Sequence, residues 1–203
     1  MTLLSIDNLR SLASEYLQLA TRARPGQYPT YEKLITENNV NLDTALRNKE
    51  LSSFDIFLSH AIKDAPIVAG IMIELILMGY TVYVDWVIDP QADRSKVTKA
   101  TAELLIKRMQ QSRSLFWATT TNAEHSRWMP WELGYKHGEN GKCAILPVKE
   151  SKNALDNFAG QEYLGIYDVA IKNYNLLWIC PNSNSFSSSY GCTIVPPKIR
   201  TSS

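Results

Sequence analysis

Between Phe54 and Val148, short β-rich runs alternate with stretches of helical periodicity, and this alternation constrains the fold more than any other feature of the chain. Strands are predicted over 54–58, 81–84, 115–118 and 144–148, and helices over 64–78, 98–111 and 126–136. Such alternation predicts an α/β domain built on a doubly wound parallel sheet. Ligands bind these sheets beyond the carboxyl ends of the strands. That rule selects three segments, which are 59–62, 85 onward, and 119–132.

The regions on either side of this alternation are less regular. Residues 1–53 are predicted to form an N-terminal helical extension, with an amphipathic helix over 5–24 and a second helical piece through 42–46. The apolar stripe of the first helix is expected to pack on its own domain, the alternative being a dimer or partner surface. The α/β domain is expected to run over 54–180, with its core at 54–148 and a last strand at 176–179. Residues 181–203 are expected to form a loop or tail.

Composition excludes several classes of protein. The chain has 203 residues, of which 45% are hydrophobic and 20% charged, as in a globular protein. A net charge of +1 predicts neither a nucleic-acid nor a membrane partner. The most apolar stretch, Ile67 to Tyr80, is too short and too interrupted to span a bilayer. Three cysteines at spacings that match no metal or redox pair are expected to be reduced thiols in the cytoplasm, namely Cys143, Cys180 and Cys192.

Trp128 and Glu132 are the strongest candidates for chemistry. They lie four residues apart, and so on one face of a helix that Ser126 is expected to cap. The positive end of the helix dipole favours an ionised Glu132. A carboxylate beside an indole suits a cationic, sugar-like centre, such as the anomeric carbon of an N-glycosidic bond whose leaving group is already cationic. Spacing alone favours a core aromatic and a solvated acid, so the context of the pair matters. Trp131 is expected to be a core residue.

Three segments supply that context: FDIFLSHA at 54–61, GYTVYVDW at 79–86 and SRWMPWELGY at 126–135. Together they resemble the TIR (Toll/interleukin-1 receptor) domain family over roughly half of the chain. The resemblance implies a flavodoxin-like fold. Many bacterial and plant members hydrolyse NAD to nicotinamide and ADP-ribose, or cyclise it to ADP-ribose isomers. NAD is thus the implied substrate, with no metal.

The resemblance also implies roles for individual residues. Glu132 corresponds to the catalytic glutamate of the family, and Trp128 to the tryptophan that lines the pocket. The residues after the first strand contact the nucleotide in the family, and Asp85 corresponds to an aspartate after the second strand. The nucleotide-contacting residues are thus Ser59, His60 and Ala61. For His60, a structural hydrogen-bonding role is about equally expected.

The resemblance carries further expectations about context. The loop VIDPQADRSKVT, after Asp85, is long and lacks the short glycine-bearing turn of the family, where this loop helps to assemble oligomers and the active site. The chain looks like a stand-alone bacterial TIR protein, such as those of antiphage systems like Thoeris. A homo-oligomer formed through the TIR domain is therefore expected, with a separate effector protein that senses the product.

Two other functions remain open from the sequence. One is a non-catalytic TIR interaction module, and the other is an enzyme similar to nucleoside deoxyribosyltransferases, which also use a carboxylate at an anomeric carbon. No glycine-rich phosphate loop is present in the sequence. A metal site is not expected, because His125 and His137 lack a third ligand at metal spacing.

Overall fold

The computed structural model describes residues 3–23, 52–89, 98–120, 122–151, 153, 161–182 and 191–197. The predicted helical piece at 42–46, most of the loop VIDPQADRSKVT, and much of the expected loop or tail at 181–203 lie outside these residues. The strands are β1 (Leu4–Ser5), β2 (Phe54–Ser59), β3 (Val82–Tyr83), β4 (Ser112–Ala118), β5 (Cys143–Leu146), β6 (Val148–Lys149), β7 (Asp168–Asn173), β8 (Leu176–Cys180) and β9 (Thr193–Val195). The α-helices are α1 (Ile6–Ala23), α2 (Ala65–Leu77), α3 (Asp85–Ile88), α4 (Lys99–Gln110) and α5 (Trp128–Asn140).

Within the described residues, seven strands form the main sheet, in the order β3-β2-β4-β5-β7-β8-β9. The first five are parallel, and β8 and β9 are antiparallel additions. The chain passes from β2 outward to β3, and then returns to the other side of β2 as β4. This reversal confirms the predicted flavodoxin-like, doubly wound class, and it opens a crevice between the carboxyl ends of β2 and β4. Ser59 and Trp117 are paired at that crevice.

The N-terminal helix α1 packs on α2. Ile6, Leu9 and Ala13 of its apolar stripe are buried in the same core as the sheet. Close approach depends on Gly70, because a Cβ atom there would lie 2.3 Å from the carbonyl oxygen of Leu9. Since α2 is covered by the sheet on one side and by α1 on the other, most of its residues are apolar and buried. The apolar stripe of α1 is thus covered within the chain along its first turns.

Part of the stretch expected as a C-terminal tail is ordered in the sheet. β9 pairs with β8 from Thr193 to Val195. The hydroxyl of Tyr80, just before β3, donates to the carbonyl oxygen of Val195. The same hydroxyl accepts a hydrogen bond from the amide of Leu177, with 3.2 Å between the amide nitrogen and the hydroxyl oxygen. The β8–β9 ribbon therefore folds back over the sheet and reaches the residues that lead into β3.

The prediction of three reduced cysteines is wrong for two of them. Cys180 and Cys192 form a disulfide, because the antiparallel pairing of β8 with β9 brings their Cα atoms to 4.1 Å. Cys143 is a free, buried thiol. Burial raises its pKa to about 11. In the parts of the chain that the structure describes, no helix has both the length and the apolar character needed to cross a bilayer.

Candidate active site

A hydrogen bond between Ser59 and Glu132 lies at the crevice where the strand order reverses. The hydroxyl of Ser59, the last residue of β2, donates to Oε2 of Glu132 at 2.6 Å. Both residues are 0% exposed. The fold thus joins a residue of the first predicted segment to one of the third, across 73 positions of sequence.

Local sequence explains how α5 presents Glu132. The helix begins at Trp128 rather than Ser126, and the Ser126 hydroxyl accepts a hydrogen bond from the amide of Met129 at 3.3 Å. It ends at Asn140, where Gly141 takes the left-handed conformation with a φ of 68°. Glu132 lies in the second turn, on the buried face. The alternative of a solvated acid is wrong, because this face turns into the domain rather than to water.

Three aromatic residues run along α5. Trp128 is 7% exposed and meets Trp131 edge to face, with 5.5 Å between ring centroids. Trp131 stacks in turn on Tyr135 at 6.1 Å. The prediction that Trp131 is a core residue is wrong, because 37% of it is exposed. Trp128 is the member of this row that lies one turn from Glu132 on the buried face.

His60 turns inward and organises the ends of β2 and β3. Its Nδ1 lies 2.8 Å from the carbonyl oxygen of Leu58, and its Nε2 lies 3.1 Å from Nε1 of Trp86 and 3.2 Å from Oδ1 of Asp85. A ring that donates from Nδ1 to Leu58 has a lone pair at Nε2 to accept the indole N–H. His60 is 1% exposed and Asp85 2%. These are hydrogen bonds within the fold, as the structural alternative for His60 expects, and a contact of His60 with a nucleotide stays a prediction.

One contact beside the crevice, between Asp64 and Asn122, was not predicted from the sequence. Asp64 makes no side-chain capping bond to α2. Its carboxylate instead accepts from the amide of Asn122 at 3.1 Å and from its Nδ2 at 2.6 Å. This pair links the loop after β2 to the loop after β4. Trp86 was also missed, although its place directly after Asp85 put it in the second selected segment.

A second buried cluster of polar side chains surrounds Asp89, the residue that follows α3. Arg108 of α4 donates from Nε and Nη2 to the two carboxylate oxygens of Asp89, each at 2.8 Å. The Tyr83 hydroxyl donates to the same carboxylate at 2.9 Å. Hydrogen bonding to Asp89 is the main reason that the pKa of Arg108 is raised. The cluster anchors the end of α3 to α4.

Chemically, the crevice offers the carboxylate of Glu132, the hydroxyl of Ser59 that donates to it, and the indole of Trp128 on the same helix face as Glu132. Ala61, the remaining predicted contact residue, is buried beside the 3₁₀ turn at Ile62–Asp64. Within the described residues, no group of three or more histidine, cysteine, aspartate or glutamate side chains is arranged to hold a metal ion. Ionised carboxylates and aromatic faces are groups that stabilise cationic centres.

No family model matches the chain. Over 132 residues it is 49% identical to "Probable 3' cyclic ADP-D-ribose synthase ThsB'" of Bacillus cereus (strain MSX-D12), a match that covers 64% of this chain and 68% of that protein. Over 147 residues it is 32% identical to "Putative cyclic ADP-D-ribose synthase TIR2" of Cytobacillus dafuensis. That match covers 72% of this chain but spans only 35% of the relative's length. The sheet has the doubly wound strand order, and the TIR-like motifs lie at the carboxyl ends of its strands. Together with these features, the first match shows that the chain belongs to the bacterial TIR-domain family of the ThsB' relative.

Proposed function

We propose that this chain cleaves the bond between nicotinamide and ribose in NAD⁺ and closes the remaining ADP-ribose into a cyclic isomer. The observation that carries the proposal is the buried Glu132, held by Ser59 at the crevice. The relatives support the choice of reaction, because both are named as cyclic ADP-D-ribose synthases. A linear ADP-ribose product is the alternative outcome at the same site.

Cleavage of the nicotinamide–ribose bond requires only one carboxylate. When the bond from nicotinamide to the anomeric carbon breaks, its electron pair leaves with the nicotinamide, which becomes neutral and needs no acid. Positive charge develops on the ribose ring, and the Glu132 carboxylate would stabilise it. A nucleophilic group elsewhere in the same molecule then bonds to the anomeric carbon and releases its proton, which gives the cyclic product. Attack by water gives the linear one.

The other predicted residues take roles around this centre. We assign to Trp128 a wall of the nicotinamide-ribose pocket, because its indole lies one turn before Glu132 on the buried face of α5. Ser59 orients the carboxylate, and Ala61 shapes the crevice beside it. His60 acts less directly, because its Nε2 accepts the indole N–H of Trp86, and Asp85 lies beside this nitrogen at the start of α3.

Opening of the site is part of the proposal. Since Ser59 and Glu132 are both 0% exposed, NAD⁺ reaches the carboxylate only after surrounding residues move. We propose that self-association through the TIR domain supplies this change. Turnover per protomer would then rise with protein concentration, whereas a site that opens within one protomer gives a constant value.

The biological setting proposed is cytoplasmic antiphage signalling, in which a separate effector protein senses the cyclic product. The support comes from the ThsB' relative, whose named activity is the synthesis of such a molecule. A partner of this kind would bind the product and not necessarily this chain. Product purified from the reaction should therefore be sufficient to activate the effector.

The decisive experiment incubates purified protein with NAD⁺ and measures nicotinamide release, with mass spectrometry of the other product. A cyclic product is lighter than ADP-ribose by one water. Glu132→Gln keeps the shape but removes the charge, and should lower kcat about 100- to 1000-fold. Glu103→Gln is the matched control, because Glu103 is an exposed acid paired with Lys99 on α4.

Each alternative has its own result. Equal turnover by the wild-type and Glu132→Gln proteins would remove Glu132 from the chemistry. Absence of nicotinamide release at every protein concentration, together with concentration-dependent assembly, would favour the interaction module. Exchange of bases between deoxynucleosides, without NAD⁺ cleavage, would favour the deoxyribosyltransferase-like enzyme.

A further inference from the structure

Lys136 is a fully buried lysine with all its hydrogen-bond donors engaged. Its Nζ donates to the carbonyl oxygens of Met109 and Ser112, each at 2.7 Å, and to Oε2 of Glu139 at 2.6 Å. The side chain is 0% exposed. An ammonium group has three N–H donors, and burying it is costly unless each one finds a partner. The site around Nζ is therefore specific for a lysine in this position.

The position of Lys136 relates it to Glu132. The two are four residues apart on α5 and share its buried face. Glu132 contacts Ser59 at the carboxyl end of β2, whereas Lys136 contacts Ser112 at the amino end of β4. Ser59 is in register with Trp117, five residues beyond Ser112. These two anchor points are thus about 16 Å apart along the strands.

The lengths of the helix segment and the two side chains match that separation. Four residues of α-helix rise about 6 Å, which leaves about 10 Å for one glutamate and one lysine side chain reaching in opposite directions. One face of α5 is therefore anchored at both ends of the parallel strands, by Glu132 at the carboxyl end of β2 and by Lys136 at the amino end of β4. Two anchors so placed determine both the height of the helix on the sheet and its rotation about its own axis.

We propose that Lys136 is a positioning residue of the active site, which sets the place of the Glu132 carboxylate by fixing α5 against the end of α4 and the start of β4. The inference rests on the proposed NAD⁺-cleaving function of Glu132. Apolar contacts of Met129 and Leu133 hold the same face, but they allow small sliding and rotation, whereas three short charge-assisted bonds do not. Displacement of a reacting group by about 1 Å can cost about 100-fold in rate.

The contact with Met109 extends this role to α4. Met109 lies in the last turn of α4, where carbonyl oxygens lack the usual N–H partner four residues further on, and an ammonium there also offsets the negative end of the helix dipole. Thr98 caps the other end of α4 and directly follows residues 90–97. A shift of α4 would therefore displace Lys136 and, because both residues lie on α5, the carboxylate of Glu132.

The test substitutes Lys136→Met, which keeps most of the side-chain volume and removes the donors. In full-length protein at a temperature where it is folded by circular dichroism, kcat should fall about 10- to 100-fold while KM for NAD⁺ stays within about twofold. Thr81→Val is the control for lost stability, since it removes a buried hydroxyl bonded to Asp55 near the amino end of β2, the end away from Ser59 and Glu132. Its kcat should equal that of the wild type. Tyr135→Phe, which loses only the exposed contact to Gln110, should also leave kcat unchanged.

The outcomes separate the two proposals. If the wild type releases no nicotinamide, the NAD⁺-cleaving function fails and the positioning role fails with it. If the wild type is active and folded Lys136→Met has an unchanged kcat, only the positioning role fails. Should Lys136→Met not fold, Glu139→Gln weakens one of the three bonds and keeps both carbonyl contacts. A kcat for that folded variant equal to the wild-type value would overturn the positioning role.

Discussion

Ser59 donates a hydrogen bond to Glu132, with 2.6 Å between the serine Oγ and the glutamate Oε2. The bond joins the end of β2 to the second turn of α5 at the point where the strand order of the sheet reverses. A carboxylate held in this way is oriented before any substrate arrives. Pre-oriented charge is the form of electrostatic stabilisation that costs least reorganisation during reaction.

Ser59→Ala should lower kcat for NAD⁺ cleavage about 10-fold, which is less than the loss expected for Glu132→Gln. The alanine removes the oriented donor but leaves the carboxylate that bears the charge. Steady-state nicotinamide release from the two variants gives the comparison, and a double variant should be no slower than Glu132→Gln alone. Additive losses in the double variant would mean that Ser59 acts on the substrate independently of Glu132.

Arg108→Met should lower the free energy of unfolding by about 3–5 kcal/mol, because it leaves the buried Asp89 carboxylate without its cationic partner. Asp89 is 4% exposed and accepts two hydrogen bonds from Arg108. Urea unfolding measures the loss. Lys99→Met serves as the control and should change stability little, since the Lys99–Glu103 pair is exposed. A loss of similar size in both variants would contradict this assignment.

Gly70→Ala should destabilise the protein by about 1–3 kcal/mol or more, because the added Cβ meets the backbone of α1 and forces it away from α2. Gly138→Ala is the matched substitution on α5, where a Cβ has no neighbour within 4 Å. It should stabilise the helix by about 0.5–1 kcal/mol. Thermal unfolding of both variants measures whether each substitution lowers or raises the stability of the protein. A neutral Gly70→Ala would show that α1 does not pack this closely.

Thiol counting should separate the three cysteines. Protein unfolded without reductant should react with one equivalent of a thiol reagent, at Cys143, and protein unfolded with reductant should expose three. In the folded protein at pH 8, Cys143 should react slowly, because burial raises its pKa to about 11 and little thiolate is present. Three equivalents without reductant would exclude the Cys180–Cys192 disulfide.

Much of the fold could be predicted from local patterns. The alternation of strands and helices over 54–148 follows from side-chain periodicity, and the structure has it. The predicted end of the last helix at 136 is too early, because α5 continues to Asn140 and Gly141 takes the left-handed conformation that ends it. Local patterns are less informative about which residues pack against one another in the folded chain. Trp131 has the composition of a core residue but lies on the outer face of α5, and nothing near Cys180 in the sequence identifies Cys192 as its partner.

For the candidate site, the sequence by itself determined the residue types and the edge of the sheet at which they lie. Trp128 and Glu132 share a helix face because four residues make about one turn. The strand predicted over 54–58 puts Ser59 at its carboxyl end. Only the tertiary structure decided that Glu132 is buried against Ser59, that His60 turns inward, and that Lys136 pins α5. The physical reason is that periodicity acts over a few residues. The contacts that fix a buried charge join residues far apart in sequence, 73 positions for Ser59 and Glu132, and depend on how the layers pack.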